Sequence, residues 1–240
     1  MITFLTLNIW QSNTLTQFKQ QVETVYTIRN VEGWTVHIRK ELSQSQPEKT
    51  DQALKLLGNQ LQQIKQVVPE DAVKKLKTVH LWFSPQYPGI RPTAEYHPGK
   101  QWLKDNHRNP EMAKGVEFTN VSIFELETRR MPNFALHELA HAYHDQFLPQ
   151  GHNNIEISQR FQAAKSSKKY DNVARKNALG NITHEKAYAM TNPAEYFAET
   201  TEAFFAQNDF YPFNKAELIE IDPAMAECLT KIWNVVKNPK

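Results

Sequence analysis

The stretch that most constrains this chain is Pro132-Asn133-Phe134-Ala135-Leu136-His137-Glu138-Leu139-Ala140-His141-Ala142-Tyr143-His144-Asp145. A proline followed by good helix formers predicts one helix opening at Pro132. On such a helix His137 and His141 lie one turn apart on the same face, where two imidazoles can bind one metal ion. Glu138 falls about 100° around the helix from His137, beside that site. A carboxylate there can reach a metal-bound water without being a ligand, the arrangement a metal hydrolase needs. The other face, Leu136, Leu139, Ala140, Tyr143 and Phe147, has the spacing of a core stripe. The pattern therefore predicts a packing side and a chemical side.

The same letters also suit an amphipathic helix with two solvated or core-satisfied histidines. Only a second element with matching chemistry separates the two readings. Cys228 is the only cysteine, so an internal disulfide and a thiolate metal site are both excluded. Histidine and carboxylate remain as ligands. A formal net charge of +2, with no basic cluster along an aromatic platform, argues against nucleic acid or an anionic membrane as partner. No apolar run approaches the roughly 18 residues of a membrane span.

Residues Met1 to Trp10 are apolar without a preceding basic residue and read as a strand or docking segment. A start that replaced a removed signal would instead favour a secreted or periplasmic location. Val25 to Ile28 and Trp34 to Ile38 alternate as strands do, and Gly33 closes them into a hairpin. Ser43-Gln44-Ser45-Gln46-Pro47 reads as a linker into a long scaffold helix carrying Leu54, Leu57, Leu61, Ile64 and Val68, stopped by Pro69. Thr78 to Phe83 reads as a buried strand.

The turn-rich run Ser84 to Pro92, continued through Ala94-Glu95-Tyr96-His97-Pro98, reads as a loop of the kind that walls a site. His97 within it has the features of a polar surface residue. Gly115 to Phe124 is a further strand candidate. Val116, Glu117, Phe118, Thr119 and Asn120 are expected either to border the cleft and pair with an extended substrate backbone or to form an interior strand. Ile155 to about Ser167, Lys215 to Glu220 and Pro223 to Val236 have helical spacing.

Asn192-Pro193-Ala194-Glu195 opens another helix, with Asn192 as cap and Pro193 in the first position. Glu195, Glu199 and Glu202 then share one face, a stack of like charges that calls for a facing cation. A metal held by two histidines would supply it. Glu195 also has the spacing of a capping-box acid, and Glu202 that of a partner for a lysine or arginine.

His137-Glu138-Leu139-Ala140-His141, followed by Tyr188-Ala189-Met190-Thr191-Asn192-Pro193-Ala194-Glu195-Tyr196-Phe197-Ala198-Glu199, resembles the catalytic domain of the anthrax lethal factor family. These are gluzincin-type zinc metallopeptidases that include the Pro-Pro endopeptidases. The resemblance runs from about Met131 to Ala206. It implies one zinc ion held by His137, His141 and Glu195, with Glu138 as general base. It further implies Tyr188 as the phenol that hydrogen-bonds the oxyanion or the leaving group, and Glu199 as acceptor for a ligating imidazole. His144 departs from the family by replacing an acidic residue, which makes it a candidate for a second metal or a solvated histidine.

The expectation is an α+β chain, a small mixed sheet flanked by helices, with a zincin-like fold over residues 1–240. Within it 1–130 form a β-rich N-terminal lobe and 131–240 a helical lobe. A monomer would hydrolyse peptide bonds in a peptide or protein substrate. A non-peptidase zinc amide or ester hydrolase would use the same residues in a closed pocket. An inactive zinc-binding interaction module would have its fourth coordination position blocked by a side chain.

Overall fold

The computed structural model describes residues 25–235, so the segment Met1 to Trp10 lies outside the described residues. The described residues include the expected hairpin, β1 (Tyr26–Val31) antiparallel to β2 (Trp34–Arg39). Glu32 and Gly33 both take positive φ, 54° and 101°, the backbone of a tight turn whose twist matches the flanking strands. Trp34 is fully buried and its indole N–H donates to Leu76 O at 2.9 Å.

Three short strands complete the main sheet: β3 (Leu81–Phe83), β4 (Ala94–Tyr96) and β5 (Val116–Phe118), in the order β1-β2-β3-β5-β4. β2, β3 and β5 run parallel, while β1 and β4 are antiparallel to their neighbours. The mixed sheet agrees with the α+β expectation. Its edge does not fall where Val116 to Asn120 were placed as one of two possibilities. β5 is interior and fully buried, and Asn120 already leads into a 3₁₀ turn. The edge is β4, read from sequence as loop. Pro92 and Pro98 bracket it, and prolines suit an edge because they have no N–H for a further ladder.

The expected linker is also different, because Lys40–Ser45 forms a helix, α1, separated only by Gln46 from α2 (Pro47–Val67). Ser and Gln weaken a helix by themselves, but Leu42 is buried and anchors this turn. The inner face of α2 buries Ala53, Leu57, Leu61 and Ile64. After α3 (Glu70–Leu76), α4 (Lys100–Asp105) and α5 (Phe124–Arg130) comes α6 (Phe134–Phe147), the helix of the paired histidines. Then follow α7 (Ile155–Ser167), a hairpin of β6 (Val173–Lys176) and β7 (Ile182–Glu185), α8 (Pro193–Phe205), α9 (Lys215–Ile221) and α10 (Pro223–Ile232).

One continuous apolar core runs from Trp34 to Trp233 and takes in both halves of the described chain. A smaller cluster, Tyr26, Trp82, Leu103 and Met112, covers the other face of the sheet. Alternation explains the division: Leu81 and Phe83 point to the large core and Trp82, between them, to the small one.

α6 starts at Phe134, not at Pro132, because Asn133 is the cap: its side chain accepts from Leu136 N at 3.0 Å. Gln60 of α2 accepts from Ala135 N at 3.0 Å, and Asn133 Nδ2 donates back to Gln60 O at 3.1 Å. Of the first-turn donors of α6, Ala135 N–H is thus satisfied by a side chain from another helix and Leu136 N–H by the cap itself. His137 follows directly, so its position is fixed by this junction. Asn133→Ala is expected to lower stability by about 1–2 kcal/mol, measured by denaturant unfolding.

Candidate metal centre

α6 is buried almost throughout, from Phe134 to His144. Its chemical face looks into a cleft, with α8 packed alongside. Asn192 caps α8, accepting from Ala194 N and Glu195 N at 2.8 and 2.9 Å with Pro193 in the first turn. The Glu195 side chain turns away from that cap, toward the two histidines.

Three donor atoms then meet. His137 Nε2 lies 3.1 Å from His141 Nε2 and 3.2 Å from Glu195 Oε2, and His141 Nε2 lies 3.3 Å from the same oxygen. A tetrahedral shell with bonds of about 2.0–2.1 Å has edges of about 3.3 Å, so this triangle fits three ligands of one zinc-sized cation. Among the described residues no fourth His, Cys, Asp or Glu joins the group.

The outer partner of His137 is Glu202. Its Oε2 lies 2.9 Å from His137 Nδ1, whereas Glu199 Oε1 lies 3.6 Å away and Glu199 accepts from Asn208 Nδ2 at 3.1 Å. The acceptor role that the motif resemblance gave to Glu199 therefore falls geometrically to Glu202, one turn on. Glu202 also pairs with this imidazole in place of a lysine or arginine. A proton on Nδ1 donated to Glu202 leaves the Nε2 lone pair aimed at the triangle.

Charge is concentrated here. Burial pushes the carboxyls of Glu199 and Glu202 up, to about 8 and about 7. Burial also opposes the Glu195 anion, but hydrogen bonds to His137 and His141 hold it far below the ordinary value. Burial opposes the His137 cation as well, and its bonds to Glu195 and Glu202 outweigh that, raising its pKa well above the usual range. Buried carboxylates facing buried imidazoles at these distances are a donor set that suits a cation.

Glu138 stands beside the triangle, one oxygen accepting the backbone N–H of Tyr96 at 2.9 Å. Burial raises its pKa, with the neighbouring imidazoles pulling it back. Tyr188 sits in a 3₁₀ turn packed on α8, 48% exposed, and burial of its hydroxyl keeps the phenol protonated. A cleft of about 630 Å³ contains His137, Glu138, His141, Glu195 and Tyr188, with β4 along one wall and Arg175 and Phe210 on another.

Two histidines differ from their expected settings. His97 is 1% exposed, not a surface residue, with Nε2 3.0 Å from Glu117 Oε2. His144 is fully buried, with neither ring nitrogen partnered; it packs against Phe197 and His152, and burial holds its pKa down at about 3. It is neither solvated nor part of the donor triangle. The sequence reading missed His152, which lines the cleft next to His141. It lies in a 3₁₀ turn after α6 with no periodic neighbours to mark it.

No described helix is long and apolar enough to cross a membrane. Fold and site together have the makings of a metal-dependent hydrolase. Residues 121–231 match the model of a peptidase family described as glucose-regulated metallo-peptidase M90, a span that includes all of the residues of the donor triangle as well as Glu138, Tyr188 and Glu202. That similarity supports a metallopeptidase acting on peptide or protein substrates. No curated protein and no solved structure matches the chain.

Proposed function

We propose that this chain is a zinc metallopeptidase of the gluzincin type, close in its motifs to the lethal factor family. The observation that carries the reading is the triangle of His137, His141 and Glu195, with Glu138 beside it and the whole opening on a cleft. Bound zinc supplies Lewis acidity, lowering the pKa of a coordinated water toward about 7 and polarising the scissile carbonyl.

The protein's own groups do the rest. Glu138, beside the triangle and on the cleft, takes the proton from the attacking water and passes it to the leaving nitrogen. Tyr188, protonated and facing the cleft, donates to the developing oxyanion or to the leaving group. One such donor is worth about 3 kcal/mol in the transition state. Glu202 fixes the His137 tautomer.

Substrate backbone pairing, expected at β5 on one reading, moves to β4. Thr93 and His97 bond the β5 side, through Thr119 N to Thr93 O and His97 N to Gly115 O. By strand alternation Ala94 and Tyr96 face the cleft. Tyr96 N–H is taken by Glu138, which leaves Ala94 N–H as the donor for a substrate carbonyl.

The cleft and the absence of a fourth protein ligand among the described residues favour turnover over a purely structural ion. The test is cleavage of a proteome-derived peptide library by zinc-loaded protein, with and without chelator. Cuts that vanish with chelator and return with zinc are expected. Hydrolysis of small esters or amides with no peptide cleavage would favour the non-peptidase hydrolase.

A further inference from the structure

β4 and β5 carry an ionic cluster that the chemistry above does not use, buried except at Glu95, whose side chain is 34% exposed at the rim of the cleft. Register aligns Glu95 of β4 directly opposite Glu117 of β5. Two carboxylates so placed repel one another and loosen the pairing. Glu117 is 0% exposed, and burial opposes its anion, but hydrogen bonds, that of His97 foremost, outweigh this and hold its pKa below the ordinary value.

Arg108 resolves the conflict. Its Nη1 donates to Glu95 Oε2 at 2.5 Å and to Glu117 Oε2 at 3.2 Å. The guanidinium lies 4.7 Å from the ring centres of both Tyr87 and Trp102, and Tyr87 OH donates to Glu117 Oε1 at 2.8 Å. His97, just past the end of β4, completes the cluster through Glu117 and stacks on Trp102.

Tyr96 lies between Glu95 and His97 and points the other way. Its N–H holds Glu138, and its hydroxyl donates to Asp145 at 2.6 Å, an acid that Lys114 also grips at 2.6 Å. β4 is three residues long and has one strand neighbour, so its own ladder fixes it weakly. We propose that Tyr96 is a positioning residue for the general base, and that the Arg108–Glu117–His97–Glu95 cluster sets the strand from which its N–H orients Glu138. Removing the cluster lets β4 drift, and Glu138 loses the bond that aims its other oxygen.

The kinetic side of this role rests on the peptidase reading, so the test has one arm without turnover. In the first arm, with ¹⁵N-tyrosine labelling of metal-free protein, Arg108→Gln and Glu138→Ala are each expected to move the Tyr96 amide resonance and raise its exchange rate. A Tyr96 amide unchanged in folded Arg108→Gln overturns the proposal whatever the protein's activity.

In the second arm, Arg108→Gln, or Glu117→Gln should that variant not fold, is expected to lower kcat at least fivefold in zinc-loaded enzyme. KM and zinc content should stay within twofold, and Arg108→Lys should recover part of the rate. A loss of thermal stability with kcat intact would make the cluster merely structural and sink the role. Wild-type protein that binds zinc and cleaves no peptide overturns the peptidase reading instead, leaving the amide measurement to decide whether the cluster positions Glu138.

Discussion

Glu138→Gln is expected to lower kcat by about 10²–10⁴-fold, a cost of about 3–5 kcal/mol in the transition state, with zinc still bound. The amide has the carboxylate's shape, and its oxygen can still accept the Tyr96 N–H that Glu138 accepts at 2.9 Å. What it cannot do is take a proton from water. Steady-state kinetics with zinc content measured on the same sample checks the result. A variant retaining full activity would remove the general-base assignment; of the other acids beside the triangle, Glu195 completes it, Glu202 grips His137 and Glu199 accepts from Asn208.

Glu195→Ala carries the second large effect. It removes one corner of the donor triangle and leaves two imidazole nitrogens 3.1 Å apart with no ligating carboxylate between them. Zinc affinity is expected to fall well beyond the roughly 10–100-fold typical of losing an outer partner. Glu202→Ala should show that smaller loss, and Glu199→Ala, whose carboxylate is 3.6 Å from His137 Nδ1, a smaller one still. Competition with a chromophoric chelator ranks the three. If Glu199→Ala loses the most metal, the assignment of Glu195 as ligand and Glu202 as outer partner is wrong.

The parts of this account that were legible in the sequence are those written by local periodicity. His137 and His141 are one turn apart whatever the rest of the chain does, and Asn192-Pro193 opens a helix wherever it is placed. Gly33 likewise closes a hairpin because the turn needs positive φ. The misses share a different cause. β4 and β5 exchange the edge because strand order depends on which chain segments pair, and a strand of three residues flanked by prolines has the letters of a loop.

His97 reads as surface because its partner, Glu117, is twenty residues on and is itself hidden in a strand. Glu199 and Glu202 lie on one face of α8, and a separation of one turn cannot tell which reaches Nδ1; packing of α8 on α6 decides it. The expected packing side and chemical side of α6 are both present, Leu136, Leu139, Ala140 and Tyr143 in the core and His137, Glu138 and His141 on the cleft, but periodicity could not show that α8 packs beside the chemical face. Only the long-range contacts carry that information.

An anomalous difference map at the zinc absorption edge, from crystals of zinc-loaded protein, tests the convergence of His137, His141 and Glu195 most directly. One peak is expected, within about 2.0–2.2 Å of His137 Nε2, His141 Nε2 and a Glu195 oxygen. A peak elsewhere, or Glu195 turned away from both imidazoles in loaded protein, would contradict it.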